Sequence, residues 1–253
     1  MEYLLFLDYD GTLTPIVKKP RLAVLSRKYK AALREIARTP HILTAVISGR
    51  MLSDLKHKVS LPGIYYAGNH GFEIEGPRFK ITHPRALAAK PLLRRIKHEL
   101  LKRLKAVPGI IIEDKVLTLS LHYRLVKRQD LKRIKQVFQK IVRPYLKTKR
   151  VRITRGKKVF EVRPNIAWDK GRAVLWFMEK LAKGKDLMPV YIGDDKTDED
   201  AFRALKKKGI TVRVGRSNKT QAKYFVRNVN GVYRFLEMIR CSGDLFIPRE
   251  VEG

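Results

Sequence analysis

The feature that most constrains this chain is an apolar run, residues 3–7, that leads directly into two carboxylates, Asp8 and Asp10. Alternate residues of an extended strand point to the same side, so the pattern predicts that both acids lie together at the end of a buried strand. Gly11 follows them and leaves the backbone free to turn. Taken alone, the motif also fits a polar turn after a buried strand. Two acids beside a loop of backbone amides favour a site for Mg²⁺ and phosphate.

These acids can supply the chemistry of phosphate ester hydrolysis. Asp8 can attack phosphorus and form an aspartyl phosphate, which divides one difficult displacement into two easier ones. Asp10 can protonate the departing alcohol and later deprotonate the attacking water. Because carboxylates repel a phosphate dianion, the mechanism needs Mg²⁺ between them, and the ion needs a further acid from elsewhere in the chain.

A second apolar run, residues 42–47, is predicted to form another buried strand, and it opens into Ser48, Gly49 and Arg50. The hydroxyl of Ser48 and the guanidinium of Arg50 are both groups that can hold a phosphate oxygen. This loop is therefore a candidate for phosphate binding.

Two further polar groups stand at predicted helix starts. Asp169 fits an N-cap, and Lys170 lies in the first turn of an amphipathic helix. A lysine there opposes the helix dipole, so Lys170 is either a solvated surface charge or a group held for function. The predicted strand at residues 190–192 is followed by five acids within residues 194–200. A bound cation would relieve their repulsion, although helix starts also favour acids.

In chain order these motifs resemble those of the haloacid dehalogenase superfamily and, within it, the trehalose-6-phosphate phosphatase family. The matching motifs are Asp8-Tyr9-Asp10-Gly11-Thr12, Ser48-Gly49-Arg50, Asn69-His70-Gly71, Lys158-x-x-Glu161-x-Arg163-Pro164, Lys170, and Gly193-Asp194-Asp195-x-Thr197-Asp198-Glu199. The Asn-His-Gly, Lys-x-x-Glu-x-Arg-Pro and Asp-Asp-x-Thr-Asp-Glu forms are the narrower ones. They favour the trehalose branch over sucrose-phosphate and mannosyl-phosphoglycerate phosphatases, whose substrates are the alternative.

The resemblance implies a role for each matching residue. Asp8 is expected to be the nucleophile and Asp10 the general acid and base. The expected Mg²⁺ ligands are Asp8, the backbone carbonyl of Asp10, and Asp194, while Asp195 and Asp198 support these ligands without binding the ion. Ser48 and Lys170 are expected to bind the transferring phosphoryl group. The residues expected to bind the sugar are Arg50, Asn69, His70, Gly71, Lys158, Glu161 and Arg163. Lys157 is an alternative to Lys158, and residues 69–71 also fit a tight polar turn.

The order of predicted elements indicates an α/β protein. Strands and helices alternate from the N-terminus to about residue 67 and again after residue 169, which is typical of a doubly wound sheet. Between them the predicted order is helix, two strands, helix, two strands. We therefore predict a doubly wound, Rossmann-like haloacid dehalogenase core, residues 1–81 and 164–253, with an inserted α+β (αββαββ) cap domain at residues 82–163.

The chain has a large positive net charge, +32 at pH 7, which the function of a sugar phosphatase does not explain. The chain has 56 Lys and Arg against 24 Asp and Glu, and residues 81–160 alone hold 24 basic and 4 acidic residues. A sugar phosphate carries about two negative charges and needs few of these cations. A second hypothesis is therefore weak, salt-sensitive binding of nucleic acid or another polyanion. The alternative, a solvated charged helix face, is favoured for residues 130–146.

The remaining expectations concern location and partners. No apolar segment before Asp8 is long enough for a signal or membrane segment, so a cytoplasmic protein with no membrane partner is expected. The six scattered histidines and the single cysteine do not favour zinc. No synthase domain precedes the phosphatase motifs, so the trehalose-phosphate synthase is expected to be a separate chain.

Overall fold

The computed structural model describes residues 1–156, 158–182, 184 and 186–241, and it divides into two compact units. The first unit, the core, is Met1–Ile81 with Trp168–Gly253, and the second, the cap, is Thr82–Ala167. The sequence pattern puts the second boundary after residue 163, four residues earlier. The segment that follows remains with the cap because the amide of Asn165 donates to the carbonyl of Arg150, 3.1 Å away, inside that unit.

The described residues form twelve strands and eight α-helices. The strands are β1 Glu2–Leu7, β2 Ile42–Ile47, β3 Tyr65–Gly68, β4 Glu73–Glu75, β5 Lys80–Thr82, β6 Ile111–Asp114, β7 Leu119–His122, β8 Val151–Gly156, β9 Val159–Pro164, β10 Leu187–Gly193, β11 Ile210–Val214 and β12 Tyr224–Val226. The helices are α1 Arg27–Arg38, α2 Leu52–Val59, α3 Pro84–Ala88, α4 Lys90–Leu104, α5 Leu131–Lys147, α6 Lys170–Leu181, α7 Glu199–Leu205 and α8 Val229–Cys241.

The core is built on an eight-stranded sheet with the order β12-β11-β10-β1-β2-β3-β4-β5. The strands from β12 to β3 are parallel, and β4 is antiparallel to β3. Side chains of β1 alternate between two apolar clusters, one on each face of the sheet, so five of its six residues are buried. This confirms the predicted doubly wound α/β core. The carboxyl ends of parallel strands meet at one edge, which is where such sheets bind ligands.

Local signals in the sequence set several helix starts. The Ser26 hydroxyl accepts the amide of Tyr29 at the start of α1, and the Asp169 carboxylate accepts the amide of Arg172 at the start of α6. The predicted N-cap at Asp169 is therefore confirmed. After β10, a 3₁₀ turn, Lys196–Asp198, precedes α7, which ends at Leu205.

The cap contains a four-stranded antiparallel sheet with the order β6-β7-β9-β8. Helices α4 and α5 share one apolar cluster with strands of this sheet. The αββαββ order is confirmed, but the first helix is divided at Ala89 into α3 and α4. Pro91 explains the break, since proline lacks the amide that a continuous helix needs and crowds the preceding turn.

No helix in the described part of the chain is both long enough and apolar enough to cross a lipid bilayer.

Candidate active site

The centre of the core site is a lysine held between two carboxylates. Lys170 begins α6, and its Nζ donates to Asp8 Oδ1 at 2.6 Å and to Asp198 Oδ1 at 2.7 Å. Asp8 follows β1, and Asp198 lies in the turn after β10, the strand that pairs with β1. All three side chains are at most 6% exposed. The structure therefore rejects a solvated surface charge for Lys170.

Asp198 is the residue that shapes the loop after β10. Its Oδ1 also accepts the Tyr191 hydroxyl at 2.7 Å, and its Oδ2 accepts the amides of Asp194 and Asp195 at 3.1 and 2.9 Å. Asp195 completes a reciprocal capping box with Asp198 at the start of the 3₁₀ turn. Because four donors occupy the two oxygens of Asp198, this carboxylate is suited to supporting the loop.

The acids of the site leave an excess of negative charge around Asp8. Burial, with repulsion from Asp198 and Asp194, raises the pKa of Asp8 well above its usual value, although Lys170 lowers it. Burial disfavours the charged form of Lys170, but the carboxylates of Asp198 and Asp8 outweigh it and raise the lysine pKa. A site in which one lysine pairs with two buried acids, with a third buried acid close by, is suited to further positive charge.

The same acids fit a metal ion. One carboxylate oxygen each from Asp8, Asp194 and Asp198 lies within 4.8 Å of the other two. An all-oxygen donor set of this kind suits Mg²⁺. Gly11 allows Asp194 to approach, because a Cβ at this position would stand 2.3 Å from Asp194 Oδ2, and its φ of +94° is strained for any other residue.

The second acid of the motif, Asp10, has a different partner from Asp8. Arg50 donates through Nε and Nη2 to the two carboxylate oxygens of Asp10, both at 2.7 Å. Its Nη1 donates to Asp54 at 2.7 Å, and its Nη2 also donates to the carbonyl of Pro20 at 2.8 Å. Four of the five N–H groups of this guanidinium are thus engaged within the core.

The Ser48 loop and residues 69–71 lie against each other. The amide of His70 donates to the carbonyl of Ser48 at 2.9 Å, and the amide of Asn69 donates to the carbonyl of Arg50 at 2.6 Å. The ring of His70 covers Gly49, where a Cβ would stand 2.7 Å from it. The structure brings these candidates together as a 3₁₀ turn, Asn69–Gly71, in which all three residues are buried.

In the cap, two of the candidate residues, Glu161 and Arg163, lie in β9 and are buried. Glu161 accepts from Lys115 Nζ at 2.7 Å and from the hydroxyls of Thr118 and Thr154 at 3.3 and 3.2 Å.

Lys158 precedes β9 in an exposed turn, with a positive φ of 66°. Lys157, its alternative, lies outside the described residues. The ammonium group beside Glu161 therefore comes from Lys115, between β6 and β7, rather than from Lys158.

Sequence reasoning missed three polar residues that hold these groups in place. Asp54 supports Arg50, and its position four residues further on, in the first turn of α2, is a signal that could have identified it. Arg213 of β11 donates to the carbonyl of Asp194 at 2.8 Å and to Glu199 at 2.9 Å. Lys115 has no local signal, because only the pairing of β7 with β9 brings its turn near Glu161.

Comparison with solved structures identifies the class of protein. A trehalose-6-phosphate phosphatase C-terminal domain from C. albicans is 24% identical, with a TM-score of 0.81 over 94% of this chain and 92% of that one. A haloacid dehalogenase-like hydrolase from Bacteroides thetaiotaomicron is 16% identical, with a TM-score of 0.64 over 94% of this chain and all of that one. The fold is that of the haloacid dehalogenase-like hydrolases.

Comparison of sequences identifies the family. The family model described as trehalose-phosphatase matches residues 6–230. A probable trehalose-phosphate phosphatase 4 from Oryza sativa subsp. japonica is 38% identical over 93% of this chain, which spans 65% of the length of that relative. The chain belongs to the trehalose-phosphatase family.

Proposed function

We propose that this protein is a phosphoric monoester hydrolase that converts trehalose 6-phosphate to trehalose and phosphate. The observation that carries this proposal is the buried ion-pair cluster of Asp8, Lys170 and Asp198, beside Asp194, in a chain of the trehalose-phosphatase family. Phosphate monoesters react slowly in water, so a positioned nucleophile and fixed cations supply most of the catalysis.

The reaction proceeds in two displacements. A carboxylate oxygen of Asp8 forms a bond to phosphorus while the bond from phosphorus to the sugar oxygen breaks, and Asp10 protonates that oxygen. Water then attacks the aspartyl phosphate, Asp10 accepts its proton, and the bond between Asp8 and phosphorus breaks. Lys170 and the Ser48 hydroxyl bind oxygens of the phosphoryl group in both steps.

Mg²⁺ is the proposed cofactor. Asp8, Asp194 and the backbone carbonyl of Asp10 are the proposed ligands, and the four donors on Asp198 support a role in holding the loop instead. When bound, the ion neutralises the charge that builds up on the phosphoryl oxygens.

Arg50 takes a role different from the sugar contact that the resemblance implies. Its bidentate pair with Asp10, completed by Asp54, supports a proposal that Arg50 positions the general acid. A planar guanidinium fixes both oxygens of a carboxylate, which a lysine ammonium cannot do.

For sugar recognition we propose polar groups of the core and of the cap, each considered within its own unit. The proposed contacts are Asn69, His70 and Gly71 in the core, and Glu161, Arg163 and Lys158 in the cap, with Lys115 as an addition. Sites built from paired donors and acceptors reject substrates that lack the matching hydroxyls. Sucrose phosphate and mannosyl-phosphoglycerate are the alternative substrates.

The test is phosphate release from a panel of sugar phosphates and nucleotides, with Mg²⁺ and with EDTA. We expect trehalose 6-phosphate to give the highest kcat/KM and EDTA to abolish turnover. Asp8→Asn is expected to lose at least about 10³-fold in kcat, because the nucleophile is removed. Undiminished turnover in this variant would refute the mechanism, and a different best substrate would refute the specificity alone.

A cytoplasmic location and a synthase on a separate chain stay predictions. The proposed substrate, a phosphorylated disaccharide, must be supplied by a glucosyl-transfer reaction, which is the reaction expected of that synthase.

A further inference from the structure

The exposed faces of the two long cap helices, α4 and α5, carry a dense cluster of cations. Helix α5 packs Ile134, Phe138, Ile141 and Val142 into the apolar cluster of the cap. Its opposite face exposes six cations, and the helix contains no Asp or Glu. These cations are Lys132, Arg133, Lys135, Lys140, Arg143 and Lys147.

Helix α4 continues this surface. It packs beside α5, and its exposed basic side chains are Arg94, Arg95, Lys102 and Arg103. Its only acid, Glu99, lies 3.7 Å from Arg103. Within residues 1–156 and the other described segments, none of the six α5 cations forms an ion pair. We refer to these ten side chains as the α4–α5 face.

The spacing of the charges indicates a polymeric ligand. Lys132, Lys140, Arg143 and Lys147 recur at helical spacing, and they follow one stripe for about 22 Å at a rise of ~1.5 Å per residue. Like charges at such spacing repel each other and weaken the helix slightly. Duplex nucleic acid carries a charge every ~1.7 Å of its axis with both strands counted, so a segment as long as the stripe carries about 13 phosphates. A sugar phosphate offers about two charges and cannot satisfy this surface.

The composition of the face distinguishes nucleic acid from a membrane. Helices that bind membrane surfaces place apolar side chains beside their cations and insert them among the lipids. The apolar side of α5 is buried in the cap, and Leu146, 37% exposed, is its one exposed large apolar residue. We propose that the α4–α5 face binds the phosphate backbone of double-stranded nucleic acid without sequence preference.

The test is fluorescence anisotropy of a labelled 20-base-pair DNA duplex with the full chain, from about 50 to 300 mM KCl. We expect binding at low salt that weakens as salt rises, with a slope of log K against log salt of about −4 to −5 for five phosphate contacts. Absence of binding by the unaltered protein at about 50 mM KCl, the lowest salt of the titration and the condition in which phosphate contacts are strongest, overturns the proposal.

Two charge-matched variants locate the surface. The first replaces Lys132, Lys140, Arg143 and Lys147 with Gln, and the second replaces Arg27, Lys28, Arg34 and Arg38 of α1, exposed cations of the core, with Gln. Glutamine keeps helix propensity in both. We expect the α5 variant to lose at least about tenfold in affinity with a slope smaller by about 3, and the α1 variant to lose less than about threefold.

Equal losses in the two variants would show that net charge, rather than this face, attracts DNA, and would overturn the proposal. Tighter binding of the unaltered protein to vesicles with anionic lipid than to DNA, lost in the α5 variant, would overturn it in favour of a membrane. We expect both variants to keep the phosphatase kcat/KM of the unaltered protein, which also shows that they fold.

Discussion

In the core, the Lys170 ammonium group donates to two carboxylates, and a third, Asp194, lies close to both of them, whereas in the cap the Glu161 carboxylate accepts from the Lys115 ammonium and two threonine hydroxyls. The core cluster therefore carries excess negative charge, and the cap cluster does not. The first arrangement is suited to a divalent cation, and the second is suited to neutral hydroxyl groups. The contrast supports the proposal that the bond-breaking step takes place in the core and that the cap cluster contributes to sugar recognition.

Among the variants that compare the two clusters, the largest expected effect comes from removing the central cation of the core. Lys170→Met is expected to lower kcat by about 10²–10³-fold, because a fixed charge on the phosphoryl group is lost. It also leaves Asp8 and Asp198 buried without their partner, so we expect unfolding free energy to fall by about 3–5 kcal/mol. Enzyme kinetics and urea unfolding measure these two quantities.

The matched control is Lys135→Met on the exposed face of α5. Because solvent already screens this charge, we expect a change below about 0.5 kcal/mol. Equal stability losses at the two lysines would contradict the assignment of Lys170 to a buried cluster.

A smaller effect is expected from Arg50, which touches Asp10 and not the core lysine. Arg50→Lys keeps the positive charge but loses the bidentate contact with Asp10. We therefore expect kcat to fall by about 10–100-fold, which is part of the rate enhancement that general acid catalysis provides. KM is expected to stay unchanged. Steady-state kinetics of the variant and the unaltered protein measure kcat and KM separately. If Arg50 contacted the sugar, the substitution would raise KM instead of lowering kcat.

Asp54→Asn serves as the control for Arg50, because Asp54 holds the other side of the same guanidinium. We expect its kcat to fall by less than about threefold, the range of a partly exposed ion pair. If it matched Arg50→Lys, the effect would reflect general disturbance of the loop.

The sequence predicted the elements and the ends of the core strands, because these depend on local patterns. Each of these signals spans only a few residues: the apolar runs, the Asp169 cap, and the acids after β1 and β10. The pairs that complete the site depend on strand order and register. Lys170 meets Asp8 across 162 residues, and Lys115 meets Glu161 across 46. No local signal distinguishes such a lysine from a solvated one.

The smallest expected effect tests the cap. Lys115→Met removes the ammonium partner of Glu161 but leaves Thr118 and Thr154 as donors. If this cluster recognises sugar hydroxyls, KM for trehalose 6-phosphate is expected to rise about tenfold, or ~1.4 kcal/mol, with little change in kcat. A small aryl phosphate, which has no sugar, is expected to be hydrolysed at an unchanged rate by the same variant, whereas Lys170→Met slows both substrates.

Lys127→Met, an exposed cation of the cap, provides the matched control and is expected to change neither substrate. Loss of aryl phosphate hydrolysis in Lys115→Met would mean that the cap cluster supports the chemical step itself. The proposal that the core cluster acts in the chemical step and the cap cluster acts only in sugar binding would then be wrong. A residue that acts only on sugar binding cannot alter a reaction in which no sugar is present.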